Sequence, residues 1–386
     1  MSSSSNPEKP KHVLILMADF GYGHRSAANA IAEALQETHG QDCEVEIINP
    51  LDDKRAPAFF RRDQANYDKL VKEMPDLYKV GYQVSDTTVA SSLIKNTLTL
   101  LLFNVLREIV HQHKPDVIVC AYPIYPAILS EIFKLEKRCI PLVTVVTDLG
   151  DVHKLWFHPA SDLYLVPTQT VYDLAVEAGL PPEKVKITGI PVHPGLAKGK
   201  QEQAALRLSL GWRADLFTVL AVGSKRVGNM KDSLRVLNHS GLPLQLVIVA
   251  GGDDKLFRQL EEVEWHQETH LYNFVADMAT LMRAADCVLA KAGGLIVTEA
   301  LACYLPLIMV DVIPGQETGN AEFVVNGKAG DLARDPIEVL EVMCHWLEKG
   351  GDFYRFRVLN ARHLGRPQAA YDVAELVWAK AIAPTR

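Results

Sequence analysis

No Cys-x-x-Cys pair occurs among the 386 residues, and the six cysteines, Cys43, Cys120, Cys139, Cys287, Cys303 and Cys344, are widely scattered. That spacing does not suit a disulfide framework and reads as reduced, buried thiols in a reducing compartment. Positive charge is also short: 40 Lys and Arg against 47 Asp and Glu leave a net charge of −7. A dedicated nucleic-acid binder shows a basic surplus, so no nucleic-acid partner is expected, and any anionic partner must meet a local patch. The longest apolar run, Leu98–Leu106, is broken by Thr99 and Asn104 and is well short of the ~20 residues that span a bilayer. The opening segment Met1–Pro10 lacks the apolar core of a signal peptide. Residues 1–11 therefore read as a disordered leader and the protein as cytoplasmic.

What is present is an ordinary packed composition, 48% apolar and 23% charged, on a chain long enough for two cores. Apolar strands at His12–Met17, Val45–Ile48, Val117–Ala121, Leu142–Thr147 and Leu163–Pro167 alternate with helical stretches, the first of them Ala27–Thr38. This is the rhythm of a parallel sheet covered on both faces. After a polar connection from Gly195 to Arg213, a second series begins: Phe217–Gly223, Leu244–Ala250, Leu271–Phe274, Cys287–Ala290 and Leu305–Val310. The expected architecture is α/β, two Rossmann-like doubly wound domains over 12–195 and 196–365. A C-terminal helix in 366–386 is expected to pack back on the first domain. Ligands bind beyond the carboxyl ends of such strands, so the chemistry belongs in the cleft between the two domains.

The strongest local signal is the segment from Leu289 to Ala300, a buried strand, a tight turn at Ala292-Gly293-Gly294 and a helix start. Amides at that helix N-terminus suit a diphosphate. Glu299, placed in or just after the first turn, can accept from both hydroxyls of a ribose; an acid there also simply complements the helix dipole. In the next strand-end loop, Gln316, Glu317 and Asn320 form a cluster that reads sugar hydroxyls, or else plain turn and capping chemistry. In the first domain, Gly21-Tyr22-Gly23-His24 is a weak dinucleotide fingerprint because Ser26 replaces the third glycine. His24 at the cleft mouth has the ordinary pKa of a general base, and a histidine at a helix start also serves as a capping or packing group. Asp253-Asp254 reads as a turn or cap, and His153 and His158 around Trp156 lack the spacing of a zinc helix, so no metal is assigned. They fit the acceptor side instead.

These segments together, with Val146-Thr147-Asp148-Leu149, Trp156-Phe157-His158-Pro159, Gly189–Pro194 and Ile313–Asn320, resemble the monogalactosyldiacylglycerol synthase and processive diacylglycerol glucosyltransferase family, relatives of the glycosyltransferase that makes the lipid-linked disaccharide of peptidoglycan. The resemblance implies the GT-B architecture and metal-independent, inverting transfer of a hexose from UDP-galactose or UDP-glucose to diacylglycerol or a related lipid, with no cofactor. It implies His24 as the base and Gly23, Tyr125, Asp148 and His158 on the acceptor side. The donor would be held by Gly223, Ser224, Lys225, Phe274, Ala292, Gly293, Gly294, Glu299, Gln316, Glu317 and Asn320. Where the family usually carries a Gly-rich, acidic loop, this chain has Val222-Gly223-Ser224-Lys225-Arg226-Val227-Gly228, a bulkier basic version.

A lipid acceptor requires a membrane-facing surface. Lys54–Arg62 mixes basic and aromatic side chains and Leu93–Val110 is a strongly apolar helical stretch, both suited to peripheral attachment at anionic lipid on the inner face of the cell membrane. The same stretch also reads as a core helix beside a solvated loop. Two other functions share the architecture: a UDP-N-acetylglucosamine 2-epimerase, which needs no lipid surface, and a UDP-sugar-binding protein without turnover.

Overall fold

The computed structural model describes residues 9–19, 22–56, 88–150, 152–197, 202–224, 230–313 and 317–383, with backbone alone at 22, 88–98 and 349. The first unit contains β1 (Lys11–Leu16), α1 (Tyr22–His39), β2 (Cys43–Ile48), α2 (Thr88–His113), β3 (Val117–Cys120), α3 (Tyr125–Glu136), β4 (Leu142–Val145), β5 (Leu163–Val166), α4 (Gln169–Glu177) and β6 (Val185–Ile187). The second opens with α5 (Gln203–Ser209) and continues through β7 (Phe217–Val222), α6 (Met230–Asn238), β8 (Leu244–Val249), α7 (Asp254–Glu261), β9 (Glu268–Tyr272) and α8 (Met278–Ala284). It is completed by β10 (Cys287–Lys291), α9 (Gly294–Ala302), β11 (Leu307–Asp311), α10 (Thr318–Asn326), β12 (Gly330–Leu332), α11 (Pro336–Leu347) and α12 (Asp352–Leu364), and the chain ends in α13 (Ala369–Ala381).

Each unit holds one six-stranded sheet, ordered β2-β1-β3-β4-β5-β6 in the first and β12-β11-β10-β7-β8-β9 in the second, with every strand pair parallel. The central strands are buried along their whole length: Val117–Cys120, Leu142–Val145 and Leu244–Val249 present no exposed residue. Burial on both faces is what a parallel sheet with helices on either side requires, and each buried aliphatic side chain contributes about 1.5–3 kcal/mol. The one polar residue inside β8, Gln245, is satisfied: its amide donates to Arg213 O and Thr218 Oγ1 at 2.6 and 2.8 Å. Two strands too short to show a period, β6 and β12, extend the sheets beyond the sequence expectation.

The helix α13 lies on the first unit, with Ala370, Val373, Ala374 and Val377 buried beside Val13, Ile15, Ile31 and Leu35. Its outer edge adds Tyr371 Oη donating to Glu37 Oε2 at 2.7 Å and the Trp378 ring stacked 4.2 Å from His39. Gly189, at φ +90, sits where a Cβ would be 2.7 Å from Arg366 Cβ, so the two chain crossings between the units touch there.

The apolar stretch Leu93–Val110 falls in α2, where Leu102, Val105, Leu106, Ile109 and Val110 are buried against the first sheet while Leu100 is 82% exposed. Its described part is thus a core helix with an apolar edge left outside. Most of Lys54–Arg62, and residues 1–8, lie outside the described residues. Among the described residues no helix is long and apolar enough to cross a membrane. Cys43, Cys120 and Cys287 are buried as expected, whereas Cys139 is exposed and Cys303 and Cys344 are half-buried.

Candidate active site

In each sheet the strand order reverses once, between β1 and β3 in the first and between β7 and β10 in the second. Loops leaving the carboxyl ends of neighbouring strands diverge at such a point and open a crevice. His24 follows β1 and Tyr122 follows β3; Gly223 and Ser224 follow β7, and the Ala292-Gly293-Gly294 turn follows β10. Both reversal points therefore carry residues singled out from the sequence.

His24 lies in the first turn of α1, whose small buried residues Ala27, Ala28 and Ala30 let the helix sit close to the sheet. Its Nδ1 is 2.9 Å from Thr147 Oγ1, and its ring meets Tyr122 edge-on at 5.2 Å and Trp156 at 6.1 Å. Burial among these groups pushes the imidazole down to about 4, opposed by a hydrogen bond with the Ala121 backbone and by the charge of Asp19. The ring is therefore neutral at pH 7. Asp19 is held below the usual carboxylate range chiefly by Arg25, which donates from Nε at 2.6 Å and also from Nη2. Gly23 has open space around it.

Three other acceptor-side residues take different positions. Asp148 accepts from Trp156 Nε1 at 3.2 Å, and the half-buried His158 accepts from Ala160 N through Nδ1. Tyr125 is fully buried, with its hydroxyl donating to Met17 O at 3.0 Å, so it offers no polar group to an acceptor. Its neighbour Tyr122, ring centroid 5.4 Å away, is the tyrosine that meets His24.

In the second unit, Gly293 caps α9 and Gly294 is its first residue. A Cβ on Gly293 would be 2.9 Å from Lys291 Nζ, and one on Gly294 would be 3.3 Å from the carbonyl oxygen of Thr147. Glu299 is accordingly in the second turn of α9, just after the first. Dipole stabilisation fades beyond the first turn, and a carboxylate it stabilised would have a lowered pKa. The reverse holds: burial pushes the Glu299 carboxyl up to about 7. Glu299 makes no hydrogen bond or ion pair to any described residue, so its oxygens are available to a ligand.

Glu317 and Asn320 are buried, and their polar atoms are engaged by the protein. Glu317 pairs with Lys291 Nζ and accepts from Ile313 N at 3.0 Å. Asn320 accepts from Leu149 N at 3.2 Å and donates to Ala292 O at 3.1 Å, which ties the first unit to the β10–α9 turn. Beside it the backbones of Gly150 and Gly319 touch, with only 2.6 Å from a Gly150 Cβ to Gly319 O. Through these contacts Glu317 and Asn320 build the turn and the bridge between the units. Gly223 is buried where a Cβ would meet Leu256 Cδ2 at 2.7 Å, Ser224 is half-buried, and Phe274 projects 71% exposed just past β9. Lys225 and Gln316 lie outside the described residues. Asp253 caps α7, accepting from Lys255 N and Leu256 N.

Sequence reading missed Thr147 as a site residue. It lies just past β4, touches His24 with its hydroxyl and approaches Gly294 with its carbonyl, so it joins the two halves of the cleft.

Two parallel six-stranded α/β units meeting across strand-end loops form a GT-B glycosyltransferase fold. Acinetobacter baumannii MurG has this fold with a TM-score of 0.62 at 16% identity, over 96% of this chain and 100% of that one. So does the UDP-GlcNAc 2-epimerase of Neisseria meningitidis, solved bound to UDP-GlcNAc, at 0.63 and 15%, over 95% and 100%. A family model described as "Monogalactosyldiacylglycerol (MGDG) synthase" matches residues 24–192, and one described as "Glycosyl transferases group 1" matches 218–349. The chain is 32% identical over 387 residues to the "Monogalactosyldiacylglycerol synthase, chloroplastic" of Spinacia oleracea, covering 96% of this chain and 73% of that protein. The chain belongs to the monogalactosyldiacylglycerol synthase family and is a glycosyltransferase.

Proposed function

We propose that the protein is an inverting, metal-independent hexosyltransferase that moves galactose or glucose from a UDP-sugar to the free hydroxyl of diacylglycerol or a related membrane lipid. The observation that carries this reading is the double contact of Thr147, which brackets a cleft with an imidazole on one wall and a half-buried carboxyl and glycine turn on the other. The spinach relative bears the name of a galactolipid synthase, and a structural neighbour was solved with a UDP-sugar.

In this reading Glu299 accepts from both ribose hydroxyls, an exchange that favours its ionised form. The exposed Phe274 ring gives the uracil an apolar face, and Ser224, just past β7, borders the phosphates. The amides at Gly293–Gly294 meet the diphosphate at the start of α9, with Lys291 beside them. No metal or cofactor is needed for the charge that develops there, because fixed N–H donors stabilise it. On the other wall, the hydrogen bond between His24 Nδ1 and Thr147 Oγ1 orients the ring, and a lone pair of the neutral imidazole takes the proton. The lipid oxygen attacks the anomeric carbon, its proton passes to the His24 imidazole, and the bond to the phosphate oxygen breaks with its electron pair leaving on UDP. An imidazole at about 4 is a weak base, but diphosphate entering opposite it raises its proton affinity through Coulomb attraction. Gly23, Asp148 and His158 border the acceptor, and the lipid is met by peripheral attachment to an anionic membrane, which on this reading faces the cytoplasm.

The test is a donor-by-acceptor screen with mass detection, using UDP-galactose and UDP-glucose with and without diacylglycerol vesicles. Hexosyl-diacylglycerol formed only when both substrates are present is expected. Isomerised nucleotide sugar without lipid product, or tight UDP binding with no product at all, would refute the reading.

A further inference from the structure

At the end of the first sheet away from the cleft, roughly 13 Å along β1 from its carboxyl end, three side chains that transfer does not use come together. His12 is the second residue of β1, Glu46 lies on the paired strand β2, and His113 is the last residue of α2. Their donor atoms all fall within 4.8 Å of one another, and each residue is half-buried. His12 Nε2 is 2.9 Å from Glu46 Oε2, and His113 Nδ1 bonds the same oxygen.

The proton arrangement sets this cluster apart from a surface ion pair. His12 Nδ1 is 2.7 Å from the carbonyl oxygen of His113, and only an N–H can serve a carbonyl. The proton of a neutral His12 is therefore on Nδ1 and its lone pair on Nε2, which is buried without a hydrogen-bond partner. That lone pair faces an acceptor-only carboxylate at 2.9 Å, a contact that becomes favourable with a proton on Nε2 or with a metal ion bound to both atoms. A backbone carbonyl that fixes the remote ring nitrogen is also the usual outer partner of a metal-bound histidine. The surroundings hold the geometry, since His12 N donates to Asp116 Oδ2 at 2.8 Å and Lys11 pairs with Asp116 at 3.4 Å.

We propose that His12, Glu46 and His113 form a structural zinc site that clips the end of α2 to β1 and β2, with water as fourth ligand. Two imidazole nitrogens and one carboxylate oxygen suit zinc, whereas magnesium and calcium take oxygen donors. Zinc bonds of ~2.0–2.1 Å set tetrahedral donors roughly 3.3 Å apart, so His12 Nε2 and Glu46 Oε2, now 2.9 Å apart, need to part by only a few tenths of an ångström, while His113 Nδ1 must move further from that oxygen. The alternative occupant is a shared proton.

The full chain, stripped with a chelator and desalted, is titrated with Zn²⁺ alone, and with Co²⁺ as a spectroscopic substitute. One zinc retained per chain through gel filtration is expected, with a four-coordinate cobalt spectrum lacking a thiolate charge-transfer band. Glu46→Gln and His113→Gln should each weaken zinc roughly 100-fold or more, and zinc should raise the melting temperature of the wild type only. Failure of the wild type to retain zinc, equal uptake by Glu46→Gln, or a thiolate band showing that a cysteine holds the metal would overturn the proposal. If the variants do not fold by circular dichroism, the wild-type stoichiometry and cobalt spectrum decide alone.

Discussion

Glu299 ties the donor site to pH in a way that can be worked out in advance. With its carboxyl raised to about 7 and no protein partner, it is close to half-protonated at neutral pH in the free protein. In the proposed donor mode ribose hydroxyls donate to the ionised form, so UDP binding should select the carboxylate and its affinity should rise with pH until Glu299 is fully ionised. Below a pKa of 7 the ionised fraction falls about tenfold per pH unit: it is roughly 90% at pH 8 and roughly 10% at pH 6. Lowering pH across that window therefore weakens UDP by about tenfold, close to 1.4 kcal/mol. The terminal phosphate of UDP titrates near ~6 and adds its own slope, so the comparison must be made against Glu299→Gln, which keeps the shape and removes the titration. Calorimetric titration of both proteins from pH 6 to 8 should show the steeper dependence in the wild type, and Glu299→Gln weaker at pH 8 by roughly 10- to 100-fold through loss of charge-assisted hydrogen bonds. Parallel pH profiles for the two proteins would refute the reasoning.

Folding stability carries the opposite sign. A carboxyl at about 7 in the folded protein and near 4.5 unfolded keeps its proton longer when folded, so this group's contribution is complete below pH 4.5 and is lost as pH rises to 7. Because Glu299 is partly solvated, the loss should stay below about 3 kcal/mol, and Glu299→Gln should flatten that part of a urea-melt series taken against pH. His24→Ala should lower turnover by about 10²–10⁴-fold while leaving UDP affinity within about threefold, measured by separate kinetic and binding titrations. Asn320→Ala leaves Leu149 N and Ala292 O without their side-chain partner and should cost about 2–4 kcal/mol, read as an earlier denaturation midpoint. Val377→Ala, which hollows the packing of α13 on the first sheet, should cost about 1–3 kcal/mol by the same assay.

The fold class was legible because parallel strands buried on both faces are written as short apolar runs between helical segments, and the runs at Val117, Leu142 and Leu244 needed no other signal. The strands β6 and β12 were not legible, since three residues cannot show a period and Lys186 and Ile187 are exposed. The stretch 195–213 looked purely connective because hydropathy ranks Arg207 as a surface residue. In fact the guanidinium is buried, bonded to Ala284 O and Leu216 O and paired with Asp286, within α5. The glycine turn and the acid after it could be read locally, as strand, turn and helix are contiguous. Residue type suggested hydroxyl-reading roles for Glu317 and Asn320, but not the Lys291 ion pair and the backbone bonds that also hold them. Thr147 and His24 are 123 residues apart, so nothing in the linear chain announces their contact.

The central claim is that a diphosphate bound at the glycine turn lies opposite the His24 imidazole. It is tested most directly by NMR titration of ¹³C-labelled histidine, with His24→Ala supplying the assignment, in the absence and presence of UDP. The free ring should titrate near 4, and a phosphate charge ~8 Å away at an effective dielectric constant of ~20 contributes about 2 kcal/mol, enough to lift it above about 5. A His24 pKa unchanged by saturating UDP would contradict the account.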